Sequence, residues 1–440
     1  MRRRLQVPMM ILTNHLCIDV MLFYLLCTEW RTYFSRVSND NVTCVTVSID
    51  NGALVNALVK HRDEKRRLKY LLLGVTKNAV DLDIDRESDV PLLVESTPPT
   101  PCWKRPLQSL GIMADARSCY ANIKKLNELI RKLAEKEYEA TDIFVTFETE
   151  AGQRKALSSL STGKLAIAMQ KGGIDDDLKF RGDIMLDVSE PAEPSAVRWN
   201  DIATHWQRRL KGLVISTALT LVLLLLGAKF VLWRNDNGDP NFALYIAGMN
   251  CIFPLLTRAI VDYEVHADEG SRALSLYFKI TLFRWVNTAI IIMASTPFTS
   301  TLGDEEDDLM PRIYKIFFAE LISAPSIALV DVVGFFKKHY MAPRAMTQKE
   351  VNSNFRGTKY ELAERYATVT KLLFLAFFYA ALYPMGYFVC SAALFISYFT
   401  DKFCLLRVWM PAPQLGNEVA EFSREYFFPL VILALAIVNG

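Results

Sequence analysis

Sequence motifs for catalysis and metal binding are missing from this chain of 440 residues. It contains no GxSxG, no phosphate-binding P-loop, no HExxH and no GxGxxG. The eight cysteines form no CxxC pair and have no metal-ligand spacing with the five histidines, so we read them as free thiols. We therefore expect that the protein is not an enzyme and that it has no catalytic residues, no metal site and no cofactor.

A strong net charge is also missing, because 50 Lys and Arg face 48 Asp and Glu, for a net charge of +2. This balance gives no indication of a nucleic-acid partner. Residues 144–147 (FVTF) are similar to part of an RNA-recognition strand. That motif has a basic residue, a glycine and a base-stacking aromatic residue where this chain has Ala140, Thr141 and Asp142. We expect no nucleic-acid binding and read 144–147 as a core strand.

Long apolar runs dominate the second half of the chain. A helix needs about 20 apolar residues to cross the hydrocarbon core of a bilayer. Seven segments fit this requirement, the last of them cut short: 210–233, 241–262, 276–295, 313–336, 366–383, 386–406 and 427–438. The pattern predicts a polytopic α-helical membrane protein with an N-terminal span at 8–30, a soluble domain at 31–209 and a transmembrane bundle at 210–440.

Loop charge predicts the orientation in the membrane. Basic residues are concentrated in 337–365 and just before residue 210. Because cytosolic loops carry this excess, we predict that 31–209 is cytosolic and that the acidic loop 304–308 lies on the opposite side. We assign this multi-pass protein to the plasma membrane. Both ends of the chain lie close to apolar runs, which predicts that the chain is a fragment.

The soluble domain alternates strand and helix patterns. The β-branched or apolar runs predict strands at 42–49, 70–75, 143–148 and 184–188, and helical periodicity predicts helices at 54–69, 118–139 and 151–160. The order βαβ, inserted helix, βαβ predicts an α+β domain of the split ferredoxin-like, RRM-like type.

Ionisable residues inside the predicted spans are the main functional signal, because each destabilises a helix in hydrocarbon by at least about 2.5 kcal/mol. Glu320 and Asp331 lie eleven residues apart, which places them on one face of a continuous helix, and Pro325 between them predicts a hinge. An acidic face is typical of a cation path. The alternative is structural pairing with a neighbouring cation: Lys279, Arg284 or Lys371.

A second group of charges lies where the 241–262 span meets the cytosolic side. It contains Arg258, Asp262, Glu264 and His266. One reading makes this group part of an ion path. The alternative reading is an interfacial patch whose long side chains reach the headgroups.

Several segments, in their order along the chain, resemble the OSCA-type osmosensitive, calcium-permeable cation channels. Residues 193–202 (EPSAVRWNDI) are similar to the signature that precedes the span after that family's cytosolic domain. Similar stretches are 109–116 (SLGIMADA), 140–147 (ATDIFVTF), 261–266 (VDYEVH) and the hairpin at 355–409. The fold of that family is shared with the anoctamins.

The resemblance implies a pore in each subunit of a homodimer, lined by the five spans between residues 210 and 383 and gated by membrane tension or osmotic stress. Calcium, potassium and sodium would permeate, and membrane lipids would be the other partners. Carried over by position, Glu264 and the acidic face with Glu320 and Asp331 would lie near the path. Gly334 would match a glycine hinge.

Two alternatives to a channel remain open. One is a phospholipid scramblase on the same architecture, and the other is a non-conducting, truncated membrane protein. The resemblance also implies more spans than this chain contains.

Overall fold

The computed structural model describes most of the chain and divides it into two compact units. The sheet unit comprises Met1–Pro191 with Trp199–Ala203, and the helical unit comprises Ala192–Arg198 with Thr204–Gly440. The described residues are 9–17, 20–73, 90–95, 115–136, 138–163, 167, 175–182, 184–202, 204–237, 242–290, 309–345, 348–380, 382–410, 415–430 and 433. The acidic loop 304–308 and most of the predicted seventh span lie outside them.

The sheet unit has four strands and five α-helices among its described residues. The strands are β1 Met9–Cys17, β2 Val42–Ile49, β3 Glu139–Phe147 and β4 Asp187–Ser189. The helices are α1 Val20–Ser38, α2 Gly52–Leu73, α3 Val90–Glu95, α4 Ala116–Ala134 and α5 Glu150–Leu160. The strand order is β2-β3-β1-β4, with every neighbouring pair antiparallel. This is the βαββαβ topology of a ferredoxin-like sheet, with α2, α3 and α4 inserted between β2 and β3.

The prediction of one transmembrane span over 8–30 is wrong for the described residues. Residues Met9–Cys17 form strand β1 between β3 and β4, and the helix that follows begins only at Val20. A strand with neighbours on both sides carries the same continuous apolar run as a buried helix. Apolarity alone therefore misassigned the first strand of the sheet.

The predicted strand at 70–75 is also wrong, because residues up to Leu73 belong to helix α2. The first βαβ unit is consequently β1-α1-β2 rather than 42–75. Predicted helices at 54–69, 118–139 and 151–160 correspond to α2, α4 and α5. The C-terminal half of α2 packs against the N-terminal half of α4 through Leu68, Leu72, Cys119 and Ile123.

An aromatic core holds α1 against the sheet. Trp30 stacks on Phe180 with ring centroids 3.9 Å apart, and Phe34 meets Phe147 edge to face at 6.3 Å. All four side chains are buried. Aromatic pairs of this kind add about 0.5–1.5 kcal/mol to the stabilisation from burial alone.

The helical unit contains nine α-helices in its described residues. They are α6 Trp206–Asp236, α7 Phe242–Val261, α8 Glu269–Trp285, α9 Leu309–Val330, α10 Val332–Phe336, α11 Gln348–Phe355, α12 Leu362–Phe378, α13 Gly386–Arg407 and α14 Glu418–Phe422. Helix α8 continues as a π-helical turn, Val286–Ile290.

Three helices in the described part of the chain are long and apolar enough to cross a membrane. They are Trp206–Arg234, Met310–Arg344 and Gly386–Arg407, and Gly248–Val261 is a shorter apolar helix. Large apolar side chains such as Ile215, Leu225 and Phe388 are exposed, as expected for surfaces that lipid covers. Each of the six segments predicted between 210 and 406 contains a helix in its described residues, although Asp331 interrupts 313–336 and the helix in 366–383 ends at Phe378. A span count above three stays a prediction.

Candidate functional site

A buried carboxylate, Glu264, lies in the short connection between α7 and α8. Its carboxylate forms an ion pair with Lys279 and accepts a hydrogen bond from the hydroxyl group of Ser216. It also accepts hydrogen bonds from Ser275 Oγ at 2.7 Å and from His266 Nε2 at 2.8 Å. Lys279 Nζ in turn donates to Ser216 Oγ at 2.8 Å and to Ser275 Oγ at 2.9 Å. Glu264 and Lys279 are each only 3% exposed. The Glu264 cluster therefore joins α6, α8 and the α7–α8 connection around one buried ion pair.

The pKa of Glu264 is shifted by two opposing effects. Burial raises it, but hydrogen bonds from His266, Lys279, Ser216 and Ser275 outweigh burial and lower the pKa from 4.5 to about 2. A carboxylate whose pKa is lower in the folded than in the unfolded protein stabilises the folded state. This contribution is complete above the ordinary pKa and is lost as the pH falls through the folded-state pKa. The window for Glu264 is therefore from about pH 4.5 down to about pH 2.

We expect the thermal stability of the purified protein to fall through this acid window partly because Glu264 becomes protonated. The measurement is the melting temperature in detergent at a series of pH values. Glu264→Gln should start lower at neutral pH and lose less stability on acidification. An identical pH dependence in the two proteins would contradict the assignment.

A second charged cluster joins α7, α8 and α12 around Glu364. This carboxylate is ion-paired with Arg258 of α7 and, at 3.3 Å, with Arg284 of α8. Arg284 Nη1 also donates to Thr368 Oγ1 at 2.8 Å. Two guanidinium groups on one carboxylate give this Glu364 cluster a net positive charge.

Glu320 of α9 forms an ion pair with Lys371 of α12, with Lys371 Nζ 2.5 Å from Glu320 Oε2. The Lys371 side chain is 4% exposed and that of Glu320 is 12% exposed. Of the two readings that the sequence left open for Glu320, structural pairing with a neighbouring cation is the one found.

Neutral polar side chains form a third group, the amide cluster, between α7 and the π-helical turn after α8. Asn287 Nδ2 donates to Asn250 Oδ1 at 3.0 Å and to the carbonyl oxygen of Ile246 at 3.3 Å. Asn250 Nδ2 donates to Thr288 Oγ1 at 3.1 Å. All three polar side chains are buried, and Asn287 Oδ1 has no hydrogen-bond partner among the described residues.

We refer to these groups together as the polar column, because helices α8 and α12 of the helical unit carry most of their residues at successive positions along the chain. Helix α8 and its π-helical extension contribute Ser275, Lys279, Arg284, Asn287 and Thr288, a stretch of about 20 Å at 1.5 Å per residue. Helix α12 packs against α8 and contributes Glu364, Thr368 and Lys371. The column is about two-thirds of the thickness of a bilayer core.

Asp331 does not belong to this column. It interrupts the helix between α9 and α10 in a left-handed conformation, φ 39° and ψ 58°. Its carboxylate accepts hydrogen bonds from Gly334 N at 3.1 Å and from Thr358 Oγ1 at 2.6 Å. The continuous helix with an acidic face was therefore a wrong prediction, because the helix is interrupted at one of the two acids.

The helix interruption is fixed by a neighbouring loop. Thr358 also accepts, through its carbonyl oxygen, a 2.9 Å hydrogen bond from Met410 N beyond the end of α13. Gly357 has a φ of 87°, and a side chain there would meet the carbonyl oxygen of Val408.

Pro325, the predicted hinge, lies inside α9, which continues through it to Val330.

Gly334 lies where a side chain would displace the Asp331 carboxylate, because an added Cβ would overlap that group. We expect Gly334→Ala to lower the free energy of unfolding by about 1–2 kcal/mol through loss of the cap. The measurement is thermal unfolding in detergent. The matched control is Gly248→Ala in α7, where nothing lies within 4 Å of the added Cβ. Equal effects of the two substitutions would contradict the capping role of Asp331.

The structure places the sequence-predicted residues in separate environments. Glu264 and Glu320 contribute to the polar column through Lys279 and Lys371, whereas Asp331 lies at the helix interruption together with Gly334. Sequence reasoning missed the amide cluster, although asparagines inside apolar runs were a visible signal. Their hydrogen-bond partners follow only from helix packing.

A comparison with protein-family models finds no match for this chain, and a comparison with curated proteins finds no similar sequence.

Proposed function

We propose that this protein is a subunit of a tension-gated or osmotically gated, calcium-permeable cation channel. The observation that carries the proposal is the polar column of α8 and α12, which lies in a unit with three helices long and apolar enough to span a bilayer. The resemblance of several segments to the OSCA-type channels supports the same function.

Energetics favour a functional role for this column. Burying a charge in a low-dielectric interior is unfavourable by several kcal/mol per ion, and a salt bridge offsets this only in part. Buried apolar residues of similar size would often give equal or greater stability. A membrane-embedded group of helices with three ion-paired carboxylates around α8 and α12, Glu264, Glu320 and Glu364, is therefore typical of a path that admits water and ions in another conformation.

Cation preference would come from the amide cluster rather than from the carboxylates. Each carboxylate of the column is ion-paired with Lys or Arg, so the column has no excess of negative charge in this conformation. Asn250, Asn287 and Thr288 supply neutral oxygens, the ligand type that replaces the hydration shell of hard cations.

Gating would use the helix interruption at Asp331. The long apolar segment Met310–Arg344 is interrupted there by a residue in the left-handed conformation. Small rearrangements at helix ends of this kind accompany many conformational transitions. Membrane tension acting on this helix would shift α9 and separate Glu320 from Lys371 of α12. The proposed hinge therefore comprises Asp331 and Gly334 and replaces Pro325.

The remaining parts of the proposal follow the sequence prediction. They are a plasma-membrane location, a cytosolic position for the sheet unit, association as a homodimer and permeation by calcium, potassium and sodium.

The experiment is a patch-clamp recording from proteoliposomes that contain the purified chain, under graded suction and a potassium chloride gradient. We expect suction-activated currents whose reversal potential lies toward the potassium equilibrium potential. Absence of current, with the protein confirmed in the bilayer, would refute the channel. Dithionite quenching of labelled lipids in the same proteoliposomes tests the alternative, since lipid transfer without current would identify a scramblase.

A further inference from the structure

Positive charge is concentrated in one part of the sheet unit. Helix α2 carries six Lys and Arg against two Asp and Glu, and helix α4 carries five against one. The whole chain has a net charge of only +2, so the rest of it is net negative. We propose that the α2–α4 pair, inserted between β2 and β3, docks on the anionic phospholipid headgroups of the membrane that holds the chain.

The basic residues of α2 form a stripe. Arg62, Lys65, Arg66 and Lys69 follow the spacing i, i+3, i+4, i+7, which places them on one flank of the helix. The acidic neighbours Asp63 and Glu64 fall on other parts of the helix circumference. The flank that packs against α4 is a different one, which contains Leu68 and Leu72. Arg62 and Arg66 form ion pairs with Asp63 of the same helix at 3.4 and 3.9 Å, and their side chains remain 55% and 48% exposed.

Apolar side chains extend this stripe toward the start of α2. Leu58 is 46% exposed and lies four residues before Arg62, on the same flank. A basic stripe with an adjacent exposed leucine is the pattern of helices that lie on membrane surfaces.

Helix α4 presents a second row of cations. Arg117, Lys124 and Arg131 are separated by seven residues each, and all three are exposed. Each Lys or Arg near an anionic leaflet contributes about 1 kcal/mol, which corresponds to about fivefold in the docking equilibrium.

The covalent connection makes a membrane the favoured partner. Sixteen residues, 190–205, join the end of β4 to the start of α6, the first helix long enough to span a bilayer. Even fully extended, a chain of that length reaches only about 55 Å, and Ala196 and Arg198 are themselves bonded to Glu269 and Ala267 of the helical unit, so the membrane is present at a high effective concentration. The inference rests on the proposed membrane insertion of this helix but not on conduction.

Nucleic acid is the less favoured partner. Proteins that bind single strands combine basic residues with aromatic side chains on which bases stack. The aromatic residues of α2 and α4 are Tyr70 and Tyr120, both half-buried, and Lys124 already lies over the Tyr120 ring at 5.0 Å.

The test is lysine acetylation of the full chain, read by mass spectrometry, in nanodiscs of phosphatidylcholine alone or with one-third phosphatidylserine. We expect Lys69 and Lys124 to react several-fold more slowly in the anionic nanodiscs, while Lys155 on α5 reacts at an unchanged rate. Salt at about 1 M, where the Debye length is about 3 Å, should remove the difference. Both faces of a nanodisc carry phosphatidylserine, so the result does not depend on orientation or on ion flux.

Matched variants separate docking from general electrostatics. Arg66→Gln should weaken the protection of Lys69 and Lys124 by up to about fivefold, and Arg154→Gln on α5 should leave it unchanged. Equal reaction rates in the two lipid mixtures would overturn the proposal. Protection by added single-stranded RNA in phosphatidylcholine nanodiscs, without protection by phosphatidylserine, would overturn it in favour of nucleic acid.

Discussion

Replacing Lys371 by methionine should lower the free energy of unfolding by about 3–5 kcal/mol. The substitution leaves the Glu320 carboxylate inside the helix bundle without the ammonium group that lies 2.5 Å from it. An uncompensated buried charge destabilises a protein far more than removal of both charges does. The measurement is denaturant or thermal unfolding of the purified protein in detergent, and Lys402→Met, at an exposed position on α13, is the matched control.

The second-site variant identifies the cause of this loss. Lys371→Met combined with Glu320→Gln should recover most of the lost stability, because no charge is then left without a partner. In the channel that we propose, the single variant should also show more current at low tension, since Glu320 would attract water and cations. A double variant as unstable as Lys371→Met alone would show that the ion pair is not the source of the effect.

Replacing Lys279 by methionine should have an effect of similar size, about 3–5 kcal/mol, at the Glu264 cluster. Lys279 is bonded to Glu264 and donates hydrogen bonds to Ser216 and Ser275. Loss of this cation should also raise the pKa of Glu264, so acid destabilisation would begin at a higher pH than in the wild type.

An exposed lysine provides the control for Lys279→Met, and removal of the Glu264 charge provides the rescue. Lys155→Met, at an exposed position on α5, should change stability by no more than about 0.5 kcal/mol. Lys279→Met with Glu264→Gln should be more stable than Lys279→Met alone. An unchanged acid transition in Lys279→Met would contradict the electrostatic account of Glu264.

Helix positions in the second half of the chain followed from the sequence, because a long apolar run with few charges has few alternatives to a helix. The predicted segment 386–406 corresponds to α13 Gly386–Arg407 almost residue for residue. The interruption at Asp331 did not follow, since a left-handed Asp depends on Gly334 and on Thr358, which approaches from a distant loop.

The start of the chain shows the limit of apolarity as a signal. Residues 9–17 are apolar enough to suggest a membrane helix, but they pair with β3 and β4. A short apolar run can form either a strand or a helix, and the segments available to pair with it decide which one forms. For residues 9–17 the pairing strands lie about 130 and 175 residues further along the chain.

Partner choice among the buried charges was the part of the site that the sequence left open. Glu320 had three candidate cations, and only packing of α9 against α12 selects Lys371. Asn250 and Asn287 are neutral, so the charge pattern of the predicted spans does not indicate them. Among the described residues, they form the only group in the column whose oxygens are not bound by a cation.

The most direct test of the proposed ion path is the reversal potential of Asn287→Asp channels under a potassium chloride gradient. A carboxylate within the amide cluster should raise the ratio of cation to anion permeability by roughly tenfold, the factor for about 1.4 kcal/mol of added attraction. The control Asn352→Asp, at an exposed position on α11, should have the wild-type value. Suction-activated currents with the same reversal potential in wild-type and Asn287→Asp protein would contradict the claim that ions pass along the polar column.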